Sequence, residues 1–267
     1  MRTIRELMSL QGRRAVITGA NGGIGQQMAA TIAELGGDLV LVDQSETEYG
    51  AFLDTLQSIN DVEVTCIKCD LEDGDARAEL ILDLSEQEDQ LSILINNAAF
   101  VGSSELEGWA TEFQDQSIET WRRALEVNLT AAFDLSKGLT PKLKQTGHGS
   151  IINVASIYGV SGPDYSLYTD TQMGHPAAYA ASKGGLVQLT RWLAMTLAPD
   201  IRVNAISPGG VFRNQPEVFV RRYEARTPLK RMAIEEDFKG ITAFLAGDLS
   251  AYVTGQNLLV DGGWTVW

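Results

Sequence analysis

The chain has 267 residues, 44% hydrophobic and 21% charged, a composition typical of one large globular domain spanning 1–267. Its formal net charge of −14 argues against a nucleic-acid partner, because phosphate binding requires a basic surface. No apolar leader and no uncharged run near the roughly 18 residues of a membrane span is present, so we expect a cytoplasmic protein without a membrane partner.

Apolar, β-rich runs alternate with helical patterns along the chain. Strands are predicted at 14–19, 38–43, 62–70, 91–98, 149–156, 201–208 and 256–263. Helices are predicted near 23–35, 46–60, 73–88, 117–145, 176–198 and 234–246. This alternation indicates an α/β fold, a parallel sheet of about seven strands with helices on both faces. Two long loops, about 99–117 and 157–175, follow strands at the sheet edge where ligands bind.

A glycine-rich loop joins the first predicted strand to the first helix. Gly19, Gly23 and Gly25 have the spacing GxxxGxG. Glycines permit a tight turn and a close approach to a pyrophosphate, whose charge the amino end of the helix stabilises. Because the loop follows a strand and opens a helix, we favour a dinucleotide site over a plain structural turn.

The second predicted strand ends at Asp43, where an acidic residue is expected to bind the adenine-ribose hydroxyls. A carboxylate there would repel the 2′-phosphate of NADP, and no Arg or Lys lies in the glycine-rich loop. NAD is therefore predicted as the cofactor in preference to NADP. The alternative is that Asp43 only caps the turn after its strand.

Cys66 and Cys69 form a CxxC motif, which is common at zinc and redox sites. Four-coordinate zinc would need two further ligands, and the histidines, His148 and His175, are far away in the sequence. Residues three apart on a strand point to opposite faces. We therefore predict two reduced structural thiols and no metal site.

A tyrosine and a lysine suited to proton transfer lie on the predicted helix 176–198. Of the four tyrosines after Ser156, only Tyr179 has a lysine, Lys183, four residues on, which places both on one helical face. A nearby ammonium would lower the tyrosine pKa, making Tyr179 a candidate general acid or base for alcohol oxidation or carbonyl reduction. As a pair alone, Tyr-x-x-x-Lys is weak evidence, because it also arises by chance on solvated helices.

Two polar residues accompany this pair. Ser156 closes the fifth predicted strand, where its hydroxyl could bond the reacting oxygen, or it is simply a turn residue. Asn128 falls inside the predicted helix 117–145, where asparagine has mediocre propensity, which hints at a role for its side chain. The alternative for Asn128 is an exposed polar residue of the helix.

Together these motifs resemble the short-chain dehydrogenase/reductase family in its short form, over nearly the whole chain. The resemblance is carried by Thr18, Gly19, Gly23, Gly25, Asp70, Asn96, Asn97, Ala98, Ala99, Asn128, Ser156, Tyr179, Lys183, Pro208 and Gly209. It implies a Rossmann-type doubly wound sheet, a nicotinamide cofactor and a catalytic tetrad of Asn128, Ser156, Tyr179 and Lys183. In the family the asparagine holds a water that links the lysine into a proton relay.

The resemblance also implies the residues that hold the cofactor, with Asp70 and Leu71 flanking the adenine. The expected set is Gly19, Asn21, Gly23, Ile24, Gly25, Asp43, Asp70, Leu71, Asn97, Ala98, Ala99, Tyr179, Lys183, Pro208, Gly209 and Val211. Arg213 departs from the family pattern, because a threonine that contacts the carboxamide usually stands there. Ala99 also replaces the commoner glycine of the Asn-Asn-Ala-Gly motif.

The chain has more residues between Ser156 and Tyr179 than the family usually has. With the loop 99–117, this insertion resembles a subgroup of flagellin-modification short-chain dehydrogenases, which implies a polar, carbohydrate-like small-molecule substrate. We expect the insertion to wall the substrate pocket. The candidate substrate residues are Tyr158, Tyr165, Tyr168, His175 and Arg213.

A basic segment lies in the region 209–232, where the family places its substrate lid. Residues 213–231 hold six basic and two acidic side chains. They could clamp a phosphate or carboxylate of the substrate. A solvated helix face or a subunit contact is favoured, because charge runs are usually solvated.

The sequence thus predicts a NAD-dependent oxidoreductase that moves a hydride between nicotinamide and a secondary alcohol or ketone of a polar, sugar-derived or anionic substrate. One alternative is a 3-oxoacyl-thioester (acyl carrier protein) reductase, which would favour NADPH. Another is a non-catalytic dinucleotide-binding protein on the same fold. The family implies a homotetramer or homodimer through the helices that hold Asn128 and Tyr179.

Overall fold

The computed structural model describes residues 1–44, 49–100 and 106–267. Its strands are β1 (Arg14–Thr18), β2 (Asp38–Asp43), β3 (Val64–Lys68), β4 (Ile93–Asn96), β5 (Gly149–Val154), β6 (Ile201–Pro208) and β7 (Asn257–Val260). They pair in parallel in the order β3-β2-β1-β4-β5-β6-β7, which confirms the predicted seven-stranded parallel sheet. The winding reverses between β1 and β4, and in such sheets the ligand crevice lies outside the carboxyl ends at this point.

The helices agree with the predicted ones to within a few residues at most ends. They are α1 (Ile4–Met8), α2 (Gly23–Glu34), α3 (Gly50–Ile59), α4 (Gly74–Glu86), α5 (Ile118–Leu125), α6 (Ala131–Gln145), α7 (Ala177–Leu197), α8 (Glu217–Arg226) and α9 (Lys239–Ala246). Two differences are informative. The predicted helix 117–145 is interrupted by a π-helical segment, Glu126–Thr130, and α8 lies in a region expected to be a loop.

Helices cover both faces of the sheet because its central strands are apolar on both sides. On β1, Ile17 belongs to a core cluster with Met28 and Ile32 of α2. The neighbouring Val16 points the other way and belongs to a second cluster with Leu135 of α6. This alternation is why the run in β1 lacks the polar residues of a half-exposed strand.

A third apolar cluster lies outside the two main core layers. It joins Leu167 of the inserted segment 157–175 to Phe219 and Tyr223 of α8 and to Trp264 near the carboxyl terminus. The inserted segment and α8 therefore pack as one unit, which we call the cover.

Among the described residues, no helix combines the length and apolarity needed to cross a bilayer.

Candidate active site

A cleft of about 730 Å³ opens at the carboxyl ends of the strands. Every residue expected to hold the cofactor lines it, together with Ser156 and Arg213. The lining also includes residues that the sequence did not predict to be there: Gly22, Gln44, Cys69, Glu72, Phe100, Arg123, Val127, Val154, Ala155 and Gln215. The motifs scattered along the chain thus meet in one place.

The glycine-rich loop carries glycines where the fold leaves no room for a side chain. A Cβ on Gly25 would lie 2.2 Å from the Gly19 carbonyl oxygen, and Gly19 itself has φ of +61°. Asn97 Nδ2 donates to the carbonyl oxygens of Thr18 and Gly19, at 3.0 and 2.8 Å. The end of β4 is thereby tied to the loop, beside the amino end of α2, which favours an anionic ligand such as a dinucleotide diphosphate.

Asp43 caps the turn after its strand, and it also faces the glycine-rich loop, while its contact with an adenine ribose stays a prediction. Its Oδ1 accepts from the backbone N–H of Gln44 at 2.8 Å, so it caps the turn after β2. Its Oδ2 accepts from the N–H of Asn21 at 2.9 Å, so the carboxylate also faces the glycine-rich loop. Gln44 Nε2 reaches Asp70 Oδ1 at 3.0 Å, which links the two acidic residues across this end of the cleft.

The structure brings Ser156, Tyr179 and Lys183 together. Ser156 follows β5; its Oγ accepts from the N–H of Tyr158 at 3.2 Å, and its side chain is close enough to the Tyr179 phenol to influence the pKa of that group. Lys183 lies one turn further along α7, with its Nζ 5.9 Å from the centroid of the Tyr179 ring. That ammonium is 1% exposed as a residue and donates to the carbonyl oxygen of Val154 at 2.7 Å.

Burial controls the protonation of this pair. It raises the pKa of Tyr179, against smaller opposing effects of the Ser156 hydrogen bond and the positive charge of Arg213. It lowers the pKa of Lys183 to about 7, because the ammonium has lost its water. The expectation that Lys183 holds the pKa of Tyr179 below its ordinary value is therefore wrong for the protein alone: burial raises this pKa, and the charge that opposes the rise is that of Arg213.

Asn128 lies behind the reacting residues and outside the cleft lining. It sits in the π-helical segment and is 1% exposed, so it is not an exposed polar residue of a helix. Its Oδ1 accepts from the N–H of Phe100 at 2.5 Å, and its Nδ2 donates to Ser182 Oγ at 3.0 Å. The side chain therefore ties the segment after β4 to α7, next to Tyr179.

The candidate substrate residues of the inserted segment point largely into the cover. The hydroxyls of Tyr158 and Tyr168 bond each other at 2.8 Å, and Tyr165 is 67% exposed. None of the three belongs to the lining of the cleft. Their contact with substrate stays a prediction, and for Tyr158 and Tyr168 it would require a change of partner.

His175 lies next to the reacting tyrosine without lining the cleft. Its ring is 3.9 Å from that of Tyr158 and 5.9 Å from that of Tyr179, centroid to centroid. Burial lowers its pKa to about 4, so the imidazole is neutral at pH 7. Its buried Nε2 has no hydrogen-bond partner among the described residues.

The arginines of the basic segment are all paired with carboxylates. The pairs are Arg213–Glu235, Arg221–Glu217, Arg222–Asp170, Arg226–Asp164 and Arg231–Asp237. Two of the partners, Asp164 and Asp170, belong to the inserted segment. These two pairs join the insertion to α8 within the cover, and of these arginines only Arg213 lines the cleft.

Arg123 is a cleft residue that the sequence did not indicate. It forms two hydrogen bonds to the Glu72 carboxylate, at 2.7 and 3.1 Å, and lies 5.1 Å from the ring centroid of Phe100. The place of Arg123 in the cleft could not be predicted from the sequence, because its partners come from other parts of the chain.

Cys66 and Cys69 do not share a surface. Cys66 lies on β3, whereas Cys69 follows the strand and lines the cleft, where burial raises the pKa of its thiol. The described part of the chain holds no group of three His, Cys, Asp or Glu side chains arranged for a metal. The absence of a metal site stays a prediction.

Residues 19–265 match a family model described as enoyl-(acyl carrier protein) reductase. A tropinone reductase homolog of Arabidopsis thaliana is 33% identical over 97% of this chain and 94% of its own. Galactitol 2-dehydrogenase (L-tagatose-forming) of Cereibacter sphaeroides is 33% identical, covering 98% and 99% of the two chains. The post-translational flagellin modification protein A of Campylobacter coli is 29% identical over 96% and 99%.

Solved structures agree over nearly the full length. An NADPH-dependent 3-quinuclidinone reductase from Rhodotorula rubra superimposes with a TM-score of 0.87 at 26% identity, covering 100% of this chain and 96% of that one. An NAD⁺-bound xylitol dehydrogenase superimposes with a TM-score of 0.83 at 29% identity, covering 95% and 99%. This chain therefore shares its fold, and not only its motifs, with one solved protein named for NADPH and with another named for NAD⁺.

Proposed function

The chain belongs to the short-chain dehydrogenase/reductase family, and from that premise we propose that it is a NAD-dependent enzyme interconverting a secondary alcohol and a ketone of a polar, sugar-derived substrate. The observation that carries this proposal is that Ser156, Tyr179 and Lys183 line the same cleft, with Lys183 one helical turn from Tyr179. Bound NAD would accept or supply the hydride at its nicotinamide.

The proton is moved by Tyr179. With its pKa raised by burial, the phenol stays protonated at neutral pH and is ready to give its proton to the oxygen of a ketone. Ser156 lines the same cleft and would orient the same substrate oxygen. For alcohol oxidation the phenol must lose its proton, which the charge of a protonated Lys183 would favour.

The preference for NAD rests on Asp43. Its carboxylate faces the glycine-rich loop, where an adenine ribose would lie, and would repel a phosphate on the 2′-hydroxyl. This argument supports NAD over NADP, whereas the solved structures that share the fold do not distinguish them, since they include proteins named for each. The same preference weighs against the 3-oxoacyl-thioester reductase, which would favour NADPH.

The polar substrate class is supported by the names of the relatives. Galactitol 2-dehydrogenase and a 2-dehydro-3-deoxy-D-gluconate 5-dehydrogenase of Pseudoalteromonas atlantica both act on polyhydroxy compounds by name. A non-catalytic dinucleotide-binding role is disfavoured, because Ser156, Tyr179 and Lys183 are all present and lie together in the cleft.

Replacing Tyr179 by Phe tests the proposal. With a panel of polyols, sugar acids and their ketones, and with NAD and NADP supplied in turn, Tyr179→Phe should lower kcat/KM by about 10²–10⁴-fold, the range for lost general acid–base catalysis. Tyr252→Phe removes the hydroxyl of a fully exposed tyrosine outside the cleft lining and serves as the matched control. Undiminished turnover by Tyr179→Phe would refute the assignment.

A further inference from the structure

Two charged residues from separate segments meet at the diphosphate end of the cleft. The loop after β6 runs beside the segment before α9, with Val211 bridged to Ala233 and the N–H of Phe212 donating to the Ala233 carbonyl at 2.8 Å. This pairing brings Arg213 and Glu235 side by side, with Arg213 Nε 3.3 Å from Glu235 Oε1.

The Glu235 carboxylate lies against the amino end of α2. A Cβ built on Gly23, the first residue of that helix, would be 2.8 Å from Glu235 Oε1 and 2.9 Å from its Cγ. The amino end of a helix favours a negative charge, because its backbone N–H groups point outward and its dipole is positive there. Glu235 therefore holds the position that suits a bound anion.

Arg213 has donors left over for that anion. It lines the cleft with Gly22 and Gly23, it is half exposed, and among the described residues its guanidinium bonds only Glu235, through Nε. It shares the cleft with Tyr179, and its charge acts on the phenol of that residue. A guanidinium offers a planar fork that fits phosphate oxygens, which a threonine cannot do.

We propose that Arg213 is a ligand of the dinucleotide's diphosphate and that Glu235 is the anion that this diphosphate displaces. This inference rests on the proposed function for the identity of the ligand. Glu235 satisfies Arg213 and the amino end of α2 when no dinucleotide is bound. The diphosphate then competes with one carboxylate for both positive partners, so Arg213 strengthens dinucleotide binding and Glu235 weakens it.

Calorimetric binding separates these two roles without using turnover. NADH and ADP-ribose, which has the diphosphate but no nicotinamide, are titrated into Arg213→Gln, Glu235→Gln and the unchanged protein. Arg213→Gln should weaken both ligands about tenfold or more, the effect of losing a charge-assisted hydrogen bond. Glu235→Gln should tighten both about threefold or more, because the competing charge is gone. Arg213→Lys, which keeps the charge and loses the fork, should lie between.

Two control variants remove one positive and one negative charge at positions that a bound diphosphate would not contact. Arg222→Gln breaks the pair with Asp170 inside the cover, and Glu236→Gln removes an exposed carboxylate one residue from Glu235. Both should bind NADH within about twofold of the unchanged protein, since exposed ion pairs contribute little.

Four results would overturn the inference, and the last of them concerns the proposed function itself. Unchanged affinity in Arg213→Gln, or weaker binding in Glu235→Gln, would show that the pair does not act on the diphosphate. If Arg213→Gln keeps its NADH affinity and raises KM for anionic substrates alone, Arg213 is a substrate anchor instead. If the unchanged protein binds neither NADH nor NADPH, the proposed function fails before the variants are compared.

Discussion

At the scale of single residues, the sequence indicates which side chains can react, but it does not give their protonation states. The spacing of Tyr179 and Lys183 predicts that they share a helical face, and they do. It cannot predict their pKa values, because these depend on how completely the surrounding segments exclude water from both. The same limit applies to Arg213, which looks like one of several basic residues until Glu235 and Gly23 are seen beside it.

Asp43 gives a test of cofactor choice at this scale. Asp43→Asn removes the charge while keeping an oxygen that can accept from Asn21, so the loop should hold its shape. Without the repulsion, the ratio of kcat/KM for NADPH to that for NADH should rise about tenfold or more, on the order of one close charge contact. Steady-state kinetics with both cofactors measures it. Asp70→Asn, at the adenine end of the same cleft, is the control, and an unchanged ratio in Asp43→Asn would contradict the NAD assignment.

At the scale of elements, strands and helices with a clear apolar period were predictable, and elements that depend on distant partners were not. The run in β1 reads as a buried strand in isolation. By contrast, α8 has just two buried residues, Phe219 and Tyr223, and is completed by Leu167 and Trp264 from other segments. Its arginines look like a solvated run in the sequence because Asp164 and Asp170 lie some fifty residues earlier, within the insertion.

The ion pairs of the cover should govern its local opening more than the global stability. The pair Arg226–Asp164, at 2.7 Å, is partly exposed, and Arg226 also lies 4.7 Å from the ring centroid of Trp264. Asp164→Asn with Asp170→Asn should lower the free energy of unfolding by about 1 kcal/mol or less, as for surface pairs. Limited proteolysis should nevertheless cleave the cover several-fold faster, because α8 is held by few other contacts.

Glu217→Gln is the matched control for that experiment. It breaks a pair, Glu217–Arg221, that lies wholly within α8 and ties it to nothing else. Its proteolysis rate should equal that of the unchanged protein. Equal rates in the Asp164/Asp170 variant as well would show that apolar packing alone holds the cover.

At the scale of the whole molecule, the alternation of strands and helices predicted the fold. The sequence pattern says much less about how copies of the chain associate. We propose that copies associate through α6 and α7. Trp192 and Met195, three residues apart on one face of α7, are 57% and 84% exposed, and Phe133 of α6 is 41% exposed. Large apolar side chains at this density are more usual in an interface than on a solvated surface.

Light scattering after size exclusion tests this assembly. The unchanged protein should have two or four times the chain mass of 29.0 kDa. Trp192→Glu with Met195→Glu should reduce it to one chain, because the charges cannot be desolvated in the interface. Leu82→Glu, an equally large change at an exposed position of α4, should leave the mass unchanged. A mass of 29.0 kDa for the unchanged protein would refute the proposal.

The π-helical segment Glu126–Thr130 has a consequence for insertions and deletions. Each residue of an α-helix turns the chain by about 100°. Deleting one residue there would restore a continuous α-helix while rotating α5 against α6 by that angle, so Asn128 and Ala124 could not both keep their contacts. The number of residues in this segment is therefore as important for the geometry of the site as the identities of those residues. In an alignment, a one-residue gap at 126–130 would mark a chain whose site is altered even where Tyr179 and Lys183 are both retained.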